Sequence, residues 1–137
     1  MENNIFKYAT KELSQDAFIC WLVEWINHKE ENSELYEVSK KFLDKIIEKY
    51  NKKNTKRNLK FNDYNNVKIL KQDKNIDVLI SFEIENNETI YIIIEDKKLT
   101  SEHDNQIIKY KSKLINKGIK EENIITTYYK MFYEPNQ

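Results

Sequence analysis

A change of period halfway along the chain limits its possible folds more than any other feature. Up to the middle of the sequence, apolar residues recur at helical spacing; from Ile76 they alternate instead. Ile76, Val78, Ile80, Phe82 and Ile84 fall on one face, and Asp77, Leu79, Ser81 and Glu83 on the other. After the link Glu85-Asn86-Asn87-Glu88, the run Ile90–Ile94 (IYIII) is apolar throughout, as expected of a central strand covered on both faces. Asparagine tolerates the positive φ that hairpin turns need, so the link reads as a turn between neighbouring strands.

The flanking segments supply the cover. From about Glu12 to Lys29, Phe18, Ile19, Leu22, Trp25 and Ile26 recur at helical spacing, with Trp21 widening the stripe. A second helix is expected to start near Ser33 as N-cap and to bury Leu35, Val38, Phe42, Ile46 and Tyr50. Residues 51–66 are polar and basic and read as a loop; Val67–Leu70 is a short strand. Thr100 and Ser101 offer a cap to a helix over Glu102–Lys117 with Ile107, Tyr110 and Leu114 inward, and Gly118 looks like its C-cap. Asn123–Lys130 is β-branched and aromatic, a last strand. The order ααβββαβ predicts an α/β fold: a mixed four-stranded sheet flanked by helices, in one domain over residues 1–137.

Composition narrows the function classes. One cysteine, Cys20, cannot form an intramolecular disulfide, and its apolar helical setting predicts a buried thiol in a reducing compartment. No run is long enough to span a bilayer and the N-terminus has no apolar signal core, so a soluble, cytoplasmic protein is expected. A single glycine leaves no phosphate-cradling loop and no nucleophile elbow, while one cysteine with His28 and His103 far apart gives no zinc spacing. Formal net charge is zero, yet cations cluster over Lys45–Lys60 and Lys109–Lys120, and acids over Glu83–Asp96. An acidic centre between basic stretches suits a metal site approached by a polyanion; the plainer reading is a solvated, lysine-rich surface.

Chemistry concentrates at the strand ends. Asp77 opens one strand, and Glu95, Asp96 and Lys97 close the next. Acids abutting a buried strand are costly to desolvate unless their charge is compensated. Mg²⁺ would do so, since it takes a few carboxylates plus waters. Register decides whether it can. Alternation puts Glu95 and Lys97 on one face and Asp96 on the other, so Asp77 joins Glu95 only if the pairing sum is even. That requires a three-residue loop Glu85-Asn86-Asn87, with Asn87 suited to the left-handed position, or a bulge of the same effect. A two-residue Asn86-Asn87 turn would pair Asp77 with Asp96 instead.

The pieces ELSQDAFICWL, NIDVLI and IIIEDKKLTSEHDNQIIKY, in that order, resemble a branch of the PD-(D/E)XK nuclease superfamily. The resemblance covers nearly the whole chain and is densest from Ile76 to Tyr110. It implies a restriction-endonuclease-like core and a Mg²⁺-dependent nuclease, with Mn²⁺ able to substitute, that hydrolyses phosphodiester bonds of nucleic acid, DNA in the first place. Asp77 matches the motif aspartate, Glu95 the D/E and Lys97 the K. Glu12 matches the acid that supports the metal from the first helix. Gln106 and Tyr110 match a Q-x-x-x-Y feature implied to line the site or contact phosphate, with Lys109 and Lys113 beside them as substrate contacts. A homodimer is compatible with cutting two strands. Ile76, not proline, precedes Asp77, a departure common in the superfamily, and the chain stops soon after its last strand, where further helices are expected; it is compatible with a fragment of a longer protein.

Plainer roles stand beside these. Glu12 also suits a first-turn acid complementing the helix dipole, with Asp16 as its rival for the metal. Gln106 and Tyr110 share a helix face that packing could explain. Asp96 reads as supporting or solvated, His103 as a cap or surface residue, and Trp21 and Trp25 as core. The alternative function is a catalytically silent nucleic-acid-binding or assembly module on the same scaffold.

Overall fold

The hairpin expected from the change of period forms the middle of a four-stranded sheet. The structure, a computed structural model, describes residues 15–71, 78–96 and 101–129. Strands β1 (Asn65–Lys71), β2 (Val78–Ile84), β3 (Glu88–Asp96) and β4 (Ile124–Tyr129) lie side by side in chain order. The first three are mutually antiparallel and β4 runs parallel to β3, so the sheet is mixed. With helices α1 (Gln15–Glu24), α2 (Ser33–Lys53) and α3 (Ser101–Asn116), the order is ααβββαβ, as the sequence predicts.

Alternation sorts the strands' side chains into two layers. Val78, Ile80, Phe82, Ile90, Ile92, Ile94 and Ile125 pack against α1 and α2 through Ile19, Cys20, Val23, Tyr36, Leu43 and Ile47. On the other face, Leu79, Ile93 and Ile124 meet Ile107 and Leu114 of α3 in a smaller cluster. Strand β3 is therefore covered on both sides, and Ile90, Ile92, Ile93 and Ile94 are each at most 1% exposed. Burying each such side chain stabilises the fold by about 1.5–3 kcal/mol.

The helices differ from expectation in their faces. α1 ends at Glu24, before the predicted Lys29, and passes into a 3-10 turn at Trp25–Asn27. Its seam is Ile19, Cys20, Val23 and Ile26, while Phe18, Trp21 and Leu22 are half-buried. The run AFICWLV is apolar without a break, so period alone could not select a face. Cys20 is buried, as expected. In α2 the cap is Asn32, whose side chain accepts from the Leu35 amide at 3.0 Å; Ser33 is the first helical residue. The seam there is Tyr36, Ser39, Leu43 and Ile47, flanked by half-buried Leu35, Phe42, Ile46 and Tyr50, and Val38 is 47% exposed. Ser39 allows close approach: its hydroxyl donates to the Val23 carbonyl at 3.0 Å, satisfying a buried polar group that periodicity would discount.

Residues 54–64 are irregular but not a solvated loop. Phe61 and Tyr64 set their rings edge-on against Phe82, with centroids 5.3 and 4.9 Å away. The Tyr64 hydroxyl donates to Asp44 at 2.6 Å and that of Tyr36 to Asp63 at 2.9 Å. Burial, then the hydrogen bond to Asp63, pushes the Tyr36 phenol up to about 12, so it stays a donor at neutral pH. Gly118 ends α3 as predicted: at φ 100° it places its own amide on Ile115 and that of Ile119 on Leu114, at 2.9 and 3.1 Å. No helix among the described residues is long and apolar enough to cross a membrane.

Candidate active site

Among the described residues three polar side chains are buried: Ser39, Asn123 and Glu95. Ser39 donates within the helix layer, and Asn123 gives its amide hydrogen to Glu88 at 3.0 Å. Glu95 is the ionisable one, 0% exposed, immediately after Ile92–Ile94 near the C-terminal end of β3. A carboxylate so placed has exchanged bulk water for fixed partners, a costly transfer that ordinary surface acids avoid.

The hairpin register is the even one. Val78 pairs with Ile94, Leu79 with Ile93, and so on to Ile84 with Glu88. The connection is the three-residue 3-10 turn Glu85–Asn87, and Asn87 takes the left-handed conformation at φ 61°. Glu95 thereby falls on the same side of β3 as Ile93 and Tyr91, the side covered by α3. Asp77 is the residue before β2 and lies outside the described residues, as do Lys97 and Glu12. Among the described residues no group of three or more histidine, cysteine, aspartate or glutamate side chains gathers to hold a metal.

Helix α3 presents the remaining candidates. Tyr110 is half-buried and packs on the cluster of Leu79, Ile93, Ile107, Leu114 and Ile124, so it shares the layer that contains Glu95. Gln106 stands one turn earlier on α3, its side chain outside the described set, like those of Asp96 and His103. Lys109 and Lys113 are exposed, whereas Lys111, not singled out from the sequence, faces the edge of β4. Tyr128, also missed, is Glu95's register partner on β4. Their signal lay in the parallel pairing of β3 with β4, which the sequence alone does not align.

Among the described residues, the acids of the stretch Glu83–Asp96 do not form one centre. Glu83 lies near the end of β2, Glu85 begins the turn, and Glu88 opens β3 there, bound by Lys120 at 2.9 Å and by Asn123. Those hydrogen bonds, that of Lys120 first, hold the Glu88 carboxyl below the usual carboxylate range. Seven steps along the extended strand, about 23 Å, separate it from Glu95.

A family model described as the PD-(D/E)XK nuclease superfamily matches residues 3–135, nearly the whole chain. No curated protein matches the chain, and no solved structure does.

Proposed function

The chain belongs to the PD-(D/E)XK nuclease superfamily, and from that premise we propose a Mg²⁺-dependent nuclease that hydrolyses phosphodiester bonds of DNA at the C-terminal end of β3. One observation carries the reading. Glu95 is fully buried at the end of a strand of buried isoleucines, in a register whose continuation by one step would set Asp77 opposite it. Oxygen donors suit Mg²⁺, and a carboxylate already stripped of bulk water is an apt partner for it. Asp77 and Glu95, with Glu12 from the first helix, would hold the ion, whose chemistry is to acidify a bound water and offset charge on the phosphate.

The chain's own groups do the rest. Lys97, two residues beyond Glu95, would share its face by strand alternation. Its ammonium would orient the attacking water or donate to a non-bridging phosphate oxygen as charge develops there. Tyr110, with Gln106 one turn earlier, would hold the backbone of the substrate from α3. Ile93, on the same face as Glu95, would keep the floor of the site dry, which strengthens every charge interaction above it. A buried thiol at Cys20, the single cysteine of the chain, suits a reducing cytoplasm.

Plasmid cleavage with Mg²⁺ and with EDTA, wild type beside Lys97→Ala, tests this. Mg²⁺-dependent nicking by wild type, lost in the variant, is expected. Equal cleavage by both proteins, or none with any divalent ion, would remove the enzyme reading.

A further inference from the structure

Among the described strands β4 is an edge of the sheet, and a groove of roughly 260 Å³ follows it. Its floor is the run Ile124–Tyr128, and its walls come from opposite faces of the sheet. Lys49 and Lys53, one turn apart on α2, stand on one side with Tyr50; Lys111 of α3 stands on the other. Among the described residues no carboxylate lines this groove. Lys49 and Lys53 are exposed. Lys111 reaches Glu121 at 3.5 Å, but that partner is 72% exposed, and such surface pairs are weak enough for a competing anion to displace.

Direction matters as much as charge. Because β4 runs parallel to β3, the groove's C-terminal end lies beside Glu95, where Tyr128 is the register partner. Five strand residues span about 16 Å, the axial length of roughly five phosphates along one DNA strand. We infer that this edge groove is the track along which one phosphodiester backbone of duplex DNA runs to the Glu95 end of the sheet, held by Lys49, Lys53 and Lys111. The inference rests on the nuclease reading for its substrate, but its test does not depend on cleavage.

Equilibrium binding of a fluorescein-labelled DNA duplex, in EDTA and over a salt series, provides that test. The proteins compared are wild type, the triple variant Lys49→Ala/Lys53→Ala/Lys111→Ala, and a control, Lys41→Ala/Lys68→Ala/Lys117→Ala, that removes the same charge from exposed positions elsewhere. The groove variant should lose at least about tenfold in affinity at low salt, and its log–log salt slope should fall by about 2.7, for three lost phosphate contacts. The control should keep most of both. Equal weakening of the two variants would mean a diffuse field, and no change in either would mean no track; both results overturn the inference. Parallel plasmid assays with Mg²⁺ keep the two ideas apart. Binding lost in the groove variant, with no cleavage by wild type, leaves the track and removes the nuclease. Cleavage by wild type and groove variant alike, with unchanged binding, does the reverse.

Discussion

Strand β3 opens with Glu88 and carries Glu95 near its other end, and the same side chain has opposite surroundings in the two places. Glu88 is partly exposed, hydrogen-bonded by Lys120 and Asn123, and sits beside the turn. Glu95 has no exposed surface and follows three buried isoleucines. An exposed acid with a lysine partner is an ordinary way to finish a strand and contributes little to stability. A buried one carries a desolvation penalty that the proposed metal-binding role would account for. The difference teaches that place in the sheet, not residue type or local charge density, separates a candidate metal ligand from surface decoration.

Substituting the two glutamates should separate them most sharply. Glu95→Gln keeps the volume and removes the charge; Mg²⁺-dependent cleavage should fall by at least about a hundredfold, beyond what outer-shell changes at metal sites typically cost. Glu88→Gln should leave cleavage unchanged in the same plasmid assay. If both variants cleave alike, the comparison collapses.

The isoleucines beside each glutamate should behave alike, which confines the contrast to the carboxylates. Ile94→Ala and Ile90→Ala should each cost about 2–5 kcal/mol in urea unfolding, because both side chains are fully buried. A marked difference between them would mean that the two ends differ in packing as well as in charge.

Smaller still is the turn that sets the register. Asn87 holds φ 61°, so Asn87→Val should cost about 1–2 kcal/mol in the same unfolding experiment while Asn87→Gly is close to neutral. Equal effects of the two would show that the left-handed conformation is not what closes this hairpin.

Least of all should follow from breaking the Glu88–Lys120 pair. The carboxyl is held low, chiefly by the Lys120 hydrogen bond, so its contribution is present above the ordinary glutamate range and lost as pH falls through its lowered value. The ammonium is held high, chiefly by the hydrogen bond to Glu88, so its contribution is present below the ordinary lysine range and lost as pH rises through its raised value. Glu88→Gln should erase this shallow dependence in thermal melts, and salt should mask it in wild type.

Strand pairing was the most legible part of this fold, because a period of two in β2 and an apolar β3 leave few arrangements. The parity argument also found the three-residue turn and the left-handed Asn87, since a slip of one residue would have moved Glu95 to the other face. Helix faces were less legible. In α1 the apolar run has no polar side to orient it, and in α2 the buried Ser39 broke the expected stripe while Val38 went to solvent. The reach of residues 51–66 into the core was hidden because Phe61 and Tyr64 are separated by polar residues and act only against Phe82, distant in sequence. Lys49, Lys53, Lys111 and Tyr128 could not be grouped beforehand, as three separate elements bring them to one edge.

Anomalous scattering from crystals soaked in Mn²⁺ would test the central claim most directly. The account predicts one strong peak about 2.0–2.2 Å from a carboxylate oxygen of Glu95 and shared with Asp77, with the Lys97 ammonium on the same side of the sheet. A map in which the Asp77 and Glu95 side chains emerge from opposite faces, with no peak near either, would contradict it.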